Sequence, residues 1–84
     1  MENLWKVLED KLHEEAKDVV EYIRLSREVD KMDNDYIATK LRAAAYDEFT
    51  HAYTLCSILK HNGYEIRPEV KEHWQKAKEL FEDM

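Results

Sequence analysis

Residues 46–55 read Tyr-Asp-Glu-Phe-Thr-His-Ala-Tyr-Thr-Leu, and inside them Glu48 and His51 stand three residues apart. On a helix, that spacing puts a carboxylate and an imidazole on one face, one turn from each other. The pair alone says little. Twelve glutamates and four histidines in 84 residues produce about 0.6 such pairs by chance. Its meaning depends on where the face points, and so on the rhythm of the flanking sequence.

Around the pair the apolar rhythm is helical: Ile37, Leu41 and Ala44 before it, Leu55 and Ile58 after it, with Asn62 closing the run. The two positions missing from this seam are 48 and 51. A second seam precedes it, formed by Trp5, Leu8, Leu12, Val19, Tyr22, Ser26 and Val29 and widened by Ala16 and Ile23; its skipped position is Glu15. Between the seams lies an acidic turn, Asp30 to Asp35, rich in residues that cap helix N-termini. It is not an EF-hand loop, because the central glycine and terminal glutamate are missing at the required spacing.

These signals predict helices over about 2–31 and 35–62. The second stops on Asn62-Gly63, with Gly63 past the end and Tyr64 folding back on Leu59. A third helix is expected over about 68–83, opened by Pro68, with Glu69 and Glu72 near its positive end. Val70, Trp74, Ala77, Phe81 and Met84 form its seam. One glycine and one proline in the chain agree with helix nearly throughout. The fold class is all-α: a long antiparallel two-helix hairpin plus a short C-terminal helix, forming one domain over residues 1–84.

A short turn near residue 33 makes facing positions of the hairpin sum to about 66. Glu15 then lies level with His51, one turn from Glu48. Three polar residues interrupt two apolar seams at one height, where neither seam carries a lysine or arginine. Two readings follow. Either a divalent metal is held there, or the three residues only fix helix register in a helical interaction or accessory protein. On the first reading Lys11, Lys17 and Arg42, the nearest cations, are solvated. His13 and His61 flank the seams and are expected in solvent, His73 at a surface or interface, and Cys56 as a small buried hydrophobe.

The exclusions are broader. A net charge of −6 with scattered lysines and arginines argues against nucleic acid. No apolar run approaches membrane-spanning length. A single cysteine and no signal-like run after Met1 point to a reducing, cytoplasmic setting. So short a chain buries a limited core and is expected to need a partner. Ile23, Ala45, Ala52 and Leu59 suggest a second apolar stripe and a homodimer or a higher, ring-like homo-oligomer.

A glutamate on one helix followed by Glu-x-x-His on the next is half of a ferritin-like di-iron site. Glu15, Tyr22 seven residues on, Glu48, His51 and Ala52 resemble rubrerythrin-like sequences, which carry the half-motif twice. This chain carries it once and is more similar to the encapsulated-ferritin type, in which two short subunits complete one four-helix bundle and share one di-iron site. The resemblance implies a ferroxidase with iron as its metal, two per dimer, manganese or zinc being substitutes. It makes Glu15, Glu48 and His51 the ligands, Tyr22 the tyrosine near the iron, and Glu14 an acid lining the way in. Where the family has a second such acid, this chain has Lys17. The type also implies a surrounding shell protein; no short apolar tail follows the last helix, so attachment to a nanocompartment through that end is not expected.

Overall fold

A computed structural model describes residues 3–84; the expected start at Glu2 lies outside the described residues. Among them the chain is all-helical: α1 Leu4–Asp30, α2 Asp35–His61 and α3 Pro68–Glu82. Asn3 caps α1, its side-chain oxygen accepting from the backbone N–H groups of Trp5 and Lys6 at 3.0 and 3.3 Å. Asn34 does the same for α2 through Ile37 N–H at 3.2 Å. The acidic turn is thus a cap. Asp33 takes a left-handed conformation there, φ 56°, which aspartate tolerates better than most residues. Arg42 ties the turn down through Asp30, 3.1 Å away. Arg42 was expected in solvent; it is instead held by Asp30.

At the far end α2 stops as expected. Gly63, φ 70°, donates to Lys60 O and Tyr64 N–H to Leu59 O, each at 3.0 Å, the bond pair of a Schellman stop. Each long helix has 27 residues, about 40 Å at 1.5 Å per residue, and the molecule measures 48 × 21 × 17 Å. Among the described residues no helix is long and apolar enough to cross a membrane.

The buried line of α1 follows the predicted seam at Leu12, Ala16, Val19, Ile23 and Ser26, but Leu8, Tyr22 and Val29 are only half-buried and Trp5 is exposed. The seam of α2 requires a correction. Its buried line is Ala38, Ala45, Ala52, Cys56 and Leu59, turned one residue from the expected one. Large apolar residues dominate any reading of periodicity, but small ones let two helix backbones approach. Alanines seven residues apart make the close contact, and Ile37, Leu41, Leu55 and Ile58 flank it, Ile37 and Ile58 being exposed.

The third helix closes one side of the hairpin. Val70, Trp74 and Ala77 join the core. Phe81 stacks on Phe49 with centroids 4.0 Å apart, and Trp74 packs against Phe49 at 5.1 Å. Buried Glu9 fixes the approach to α3. Its Oε2 accepts the Arg67 backbone N–H at 2.7 Å, and its Oε1 accepts the Tyr64 hydroxyl at 3.1 Å. The Arg67 guanidinium lies 3.3 Å from Oε1, with its N–H aimed off the acceptor. The second apolar stripe expected from Ile23, Ala45, Ala52 and Leu59 is not a surface: all four are buried in the chain's own core. It is the other side of the hairpin that stays open. Along it run Leu4, Leu8, Tyr22, Leu25 and Val29 of α1, and Ile37, Leu41, Ala44, Leu55 and Ile58 of α2, all half-buried or exposed.

Candidate metal centre

Halfway along that open side the two helices bring Glu15, Glu48 and His51 together. One ligand atom from each lies within 4.8 Å of the others. Positions 48 and 51 sit on α2 between Ala44 and Leu55, one residue off the buried line, so they border the core without entering it. Glu48 is half-buried and the His51 side chain is 60 % exposed. Glu15 sits deeper because it borders the buried line of α1, between Leu12 and Val19, and its side chain is only 8 % exposed.

The two oxygens of Glu15 are in different situations. Oε1 lies 3.4 Å from Lys11 Nζ, one turn earlier on α1. That lysine was expected in solvent; its flexible stem brings the cation over the carboxylate while its own side chain stays 56 % exposed. Oε2 is buried, has no hydrogen-bond partner, and lies 3.7 Å from His51 Nδ1. Leaving a buried acceptor unpaired costs about 1–3 kcal/mol. A divalent cation seated among these three side chains would remove that cost. Carboxylate and imidazole donors suit iron, manganese or zinc.

The remaining expected site residues stand apart from this cluster. Glu14 is beside it in sequence but points outward, 68 % exposed, with Lys11 Nζ 3.9 Å away. Tyr22 is half-buried against the core and, with Asp18, Glu21 and Leu25, lines a cleft of about 180 Å3. Asp18 belongs to the same acidic surface. Burial, and then the negative charges of Glu15, Glu21 and Glu14, push its carboxyl above the ordinary carboxylate range. Negative potential thus accumulates on this side of α1.

Two functional-looking features were missed. Glu9 is one; stepping the buried line of α1 back from Leu12 by three residues reaches it, so the signal was present in the spacing. The other is a histidine pair. His13, expected in solvent, and His73, expected at a surface or interface, meet across α1 and α3 with His13 Nε2 2.8 Å from His73 Nδ1. No sequence spacing could show that, because the contact depends on how α3 lies on the hairpin.

Comparison with known protein families, with characterised proteins and with solved structures found no match to this chain. The ferritin-like likeness therefore rests on five residues of motif and on the geometry of Glu15, Glu48 and His51.

Proposed function

We propose that this chain is a metal-binding half-bundle whose homodimer binds two irons and oxidises Fe(II). The observation that carries the reading is the buried, unpartnered Oε2 of Glu15 beside the Glu48 carboxylate and the His51 imidazole. One chain supplies two carboxylates and one imidazole, too few to close a site for two ions. Two chains supply four carboxylates, whose charge balances two divalent cations, and two imidazoles. The open side of the hairpin, apolar above and below the cluster, offers the surface on which a second hairpin completes a four-helix bundle. In this reading iron is the substrate. Each Fe(II) gives up one electron, and dioxygen or peroxide accepts them.

A second reading has its own observation. Lys11 already lies over Glu15, and a carboxylate balanced by a lysine needs no metal. The three residues would then set helix register in an interaction protein. Metal analysis of protein purified without chelator, combined with oxygen uptake on adding Fe(II), separates the two. The ferroxidase reading expects about one iron per chain and uptake that vanishes in His51→Ala. A dimer with no stoichiometric metal and no uptake leaves the register reading.

A further inference from the structure

On the opposite side of the molecule from the Glu15 cluster, α2 and α3 diverge and leave a cleft of about 310 Å3. Its floor is apolar: Leu12, Cys56, Ile66 and Trp74, all buried. A second recess, of about 200 Å3, continues it past Tyr53 and Ser57 and shares Cys56, Lys60, Trp74 and Lys78. The small Cys56 side chain of α2 and the Trp74 ring of α3 meet at the bottom of both recesses.

The rim is cationic. Lys60, Lys71 and Lys78 all line the cleft, and among the described residues no aspartate or glutamate does, in a chain with 19 acidic residues against 13 lysines and arginines. Lys71 is partly neutralised by Glu65, 3.4 Å away on the exposed surface. Lys60 has no ion-pair partner among the described residues, and Lys78 lies over the Trp74 ring, 5.5 Å from its centroid. Two cations without carboxylate partners thus overhang an aromatic and aliphatic floor, which is the usual composition of a small-ligand site: apolar lining with a few placed charges.

We infer that this cleft binds an amphipathic organic anion: a carboxylate on an aromatic or short aliphatic body. The body enters the cleft and lies on its floor, against the little of Trp74 and Cys56 that solvent reaches, 7 % and 5 % of each residue. The carboxylate lies between Lys60 and Lys78, where the cation already held over the indole is attracted to both. Neither the metal cluster nor a second chain takes part, so the inference stands apart from the function proposed above.

The test uses the whole chain with Trp5→Phe, which leaves Trp74 as its sole indole, and anilinonaphthalene sulfonate as the fluorescent probe. Energy transfer from Trp74 should saturate at one probe per chain, and decanoate should displace the probe while decanol at equal concentration should not. Lys60→Glu, at an exposed position, together with Lys78→Glu, at a half-buried one, should weaken probe binding by about tenfold or more, since each reversal replaces an attraction by a repulsion. Circular dichroism of that variant confirms that it folds. Probe affinity unchanged by the double reversal, or displacement by decanol as readily as by decanoate, would overturn the inference. Either result would mean that the probe sits on bare apolar surface, such as the open side of the hairpin.

Discussion

Lys11 and Glu15 lie one turn apart on α1 with Nζ 3.4 Å from Oε1, so the most buried carboxylate of the candidate site carries its own counter-cation. A metal entering the site must compete with that lysine. In Lys11→Met the competitor is gone, and affinity for Mn(II) should rise up to about fivefold, the scale of a pair worth 0.2–1 kcal/mol with one exposed partner. Metal-free protein should lose a similar amount of stability. Titration calorimetry with Mn(II) and thermal melts test both halves. Unchanged metal affinity would place Lys11 outside the site.

Glu15→Gln should separate metal binding from stability. The amide keeps the shape but removes an anion with a single exposed partner. Metal affinity should fall by at least about tenfold, while the metal-free melting temperature holds or rises. His51→Ala should also abolish stoichiometric binding yet change stability by no more than about 0.5 kcal/mol, because its side chain is 60 % exposed. If Glu15→Gln retains full metal binding, Glu15 is no ligand, and Glu14 or Asp18 takes its place as the candidate.

Ile58→Glu puts a charge on the open side, two turns from His51. Ile58 is 38 % exposed in the single chain, so the fold should survive. Association should not. Light scattering should show the 10.1 kDa chain alone, whereas the unmodified protein should give twice that mass or a multiple of it. A variant that associates as before would move the interface elsewhere.

Glu9→Ala should be the most damaging of these changes. It leaves the Arg67 backbone N–H and the Tyr64 hydroxyl without their acceptor, and each such part-buried donor left unpaired costs about 1–3 kcal/mol, while the Arg67 guanidinium, 39 % exposed, turns to water. Asp10→Ala, which removes only the exposed contact to Arg67 at 2.9 Å, should cost less than about 1 kcal/mol. Denaturant melts of the two variants side by side test this contrast; equal losses would refute it.

Acid should loosen α3 through His13. Burial first, then the positive charges of Lys17, His73 and Arg67, hold its imidazole below the ordinary value of 6.5, with Glu69 opposing. The unfolded chain therefore takes up the proton more readily than the folded one. The stability linked to His13 is complete above pH 6.5 and declines as pH falls below it towards the lowered value. Asp18 has the opposite sign. Its raised carboxyl is a cost at neutral pH, relieved when acid protonates it in the carboxylate range. Melting temperatures between about pH 7.5 and pH 5 should fall less steeply in His13→Asn than in the parent. Parallel slopes would exclude His13 as the cause.

Caps, stops and helix count were legible in the sequence because each depends on a few neighbouring residues. Asn34, Gly63 and Pro68 act where they stand. The Glu15, Glu48 and His51 cluster was legible too, since a short turn fixes the register of a hairpin. The rotation of α2 was not. Ile37 and Ile58 outweigh Ala38 and Ala52 in any sum of hydrophobicity, but contact distance between backbones favours the alanines. Lys11 was misread for a related reason. A lysine one turn from a half-covered carboxylate can lay its stem along the helix and reach it, though its position lies off the seam. The burial of Glu9 could have been found by stepping the α1 line back from Leu12, but its partners and the His13–His73 contact depend on the docking of α3, which no local pattern encodes.

By filling one groove of the hairpin, α3 also limits growth. Two long helices with both grooves exposed could add copies on either side without end, as filaments do. With Phe81 and Trp74 seated on Phe49, one groove is spoken for, and any pairing through the other exhausts it. If copies of this chain pair face to face through that groove, the contact stops at two, and a larger assembly would need different surfaces.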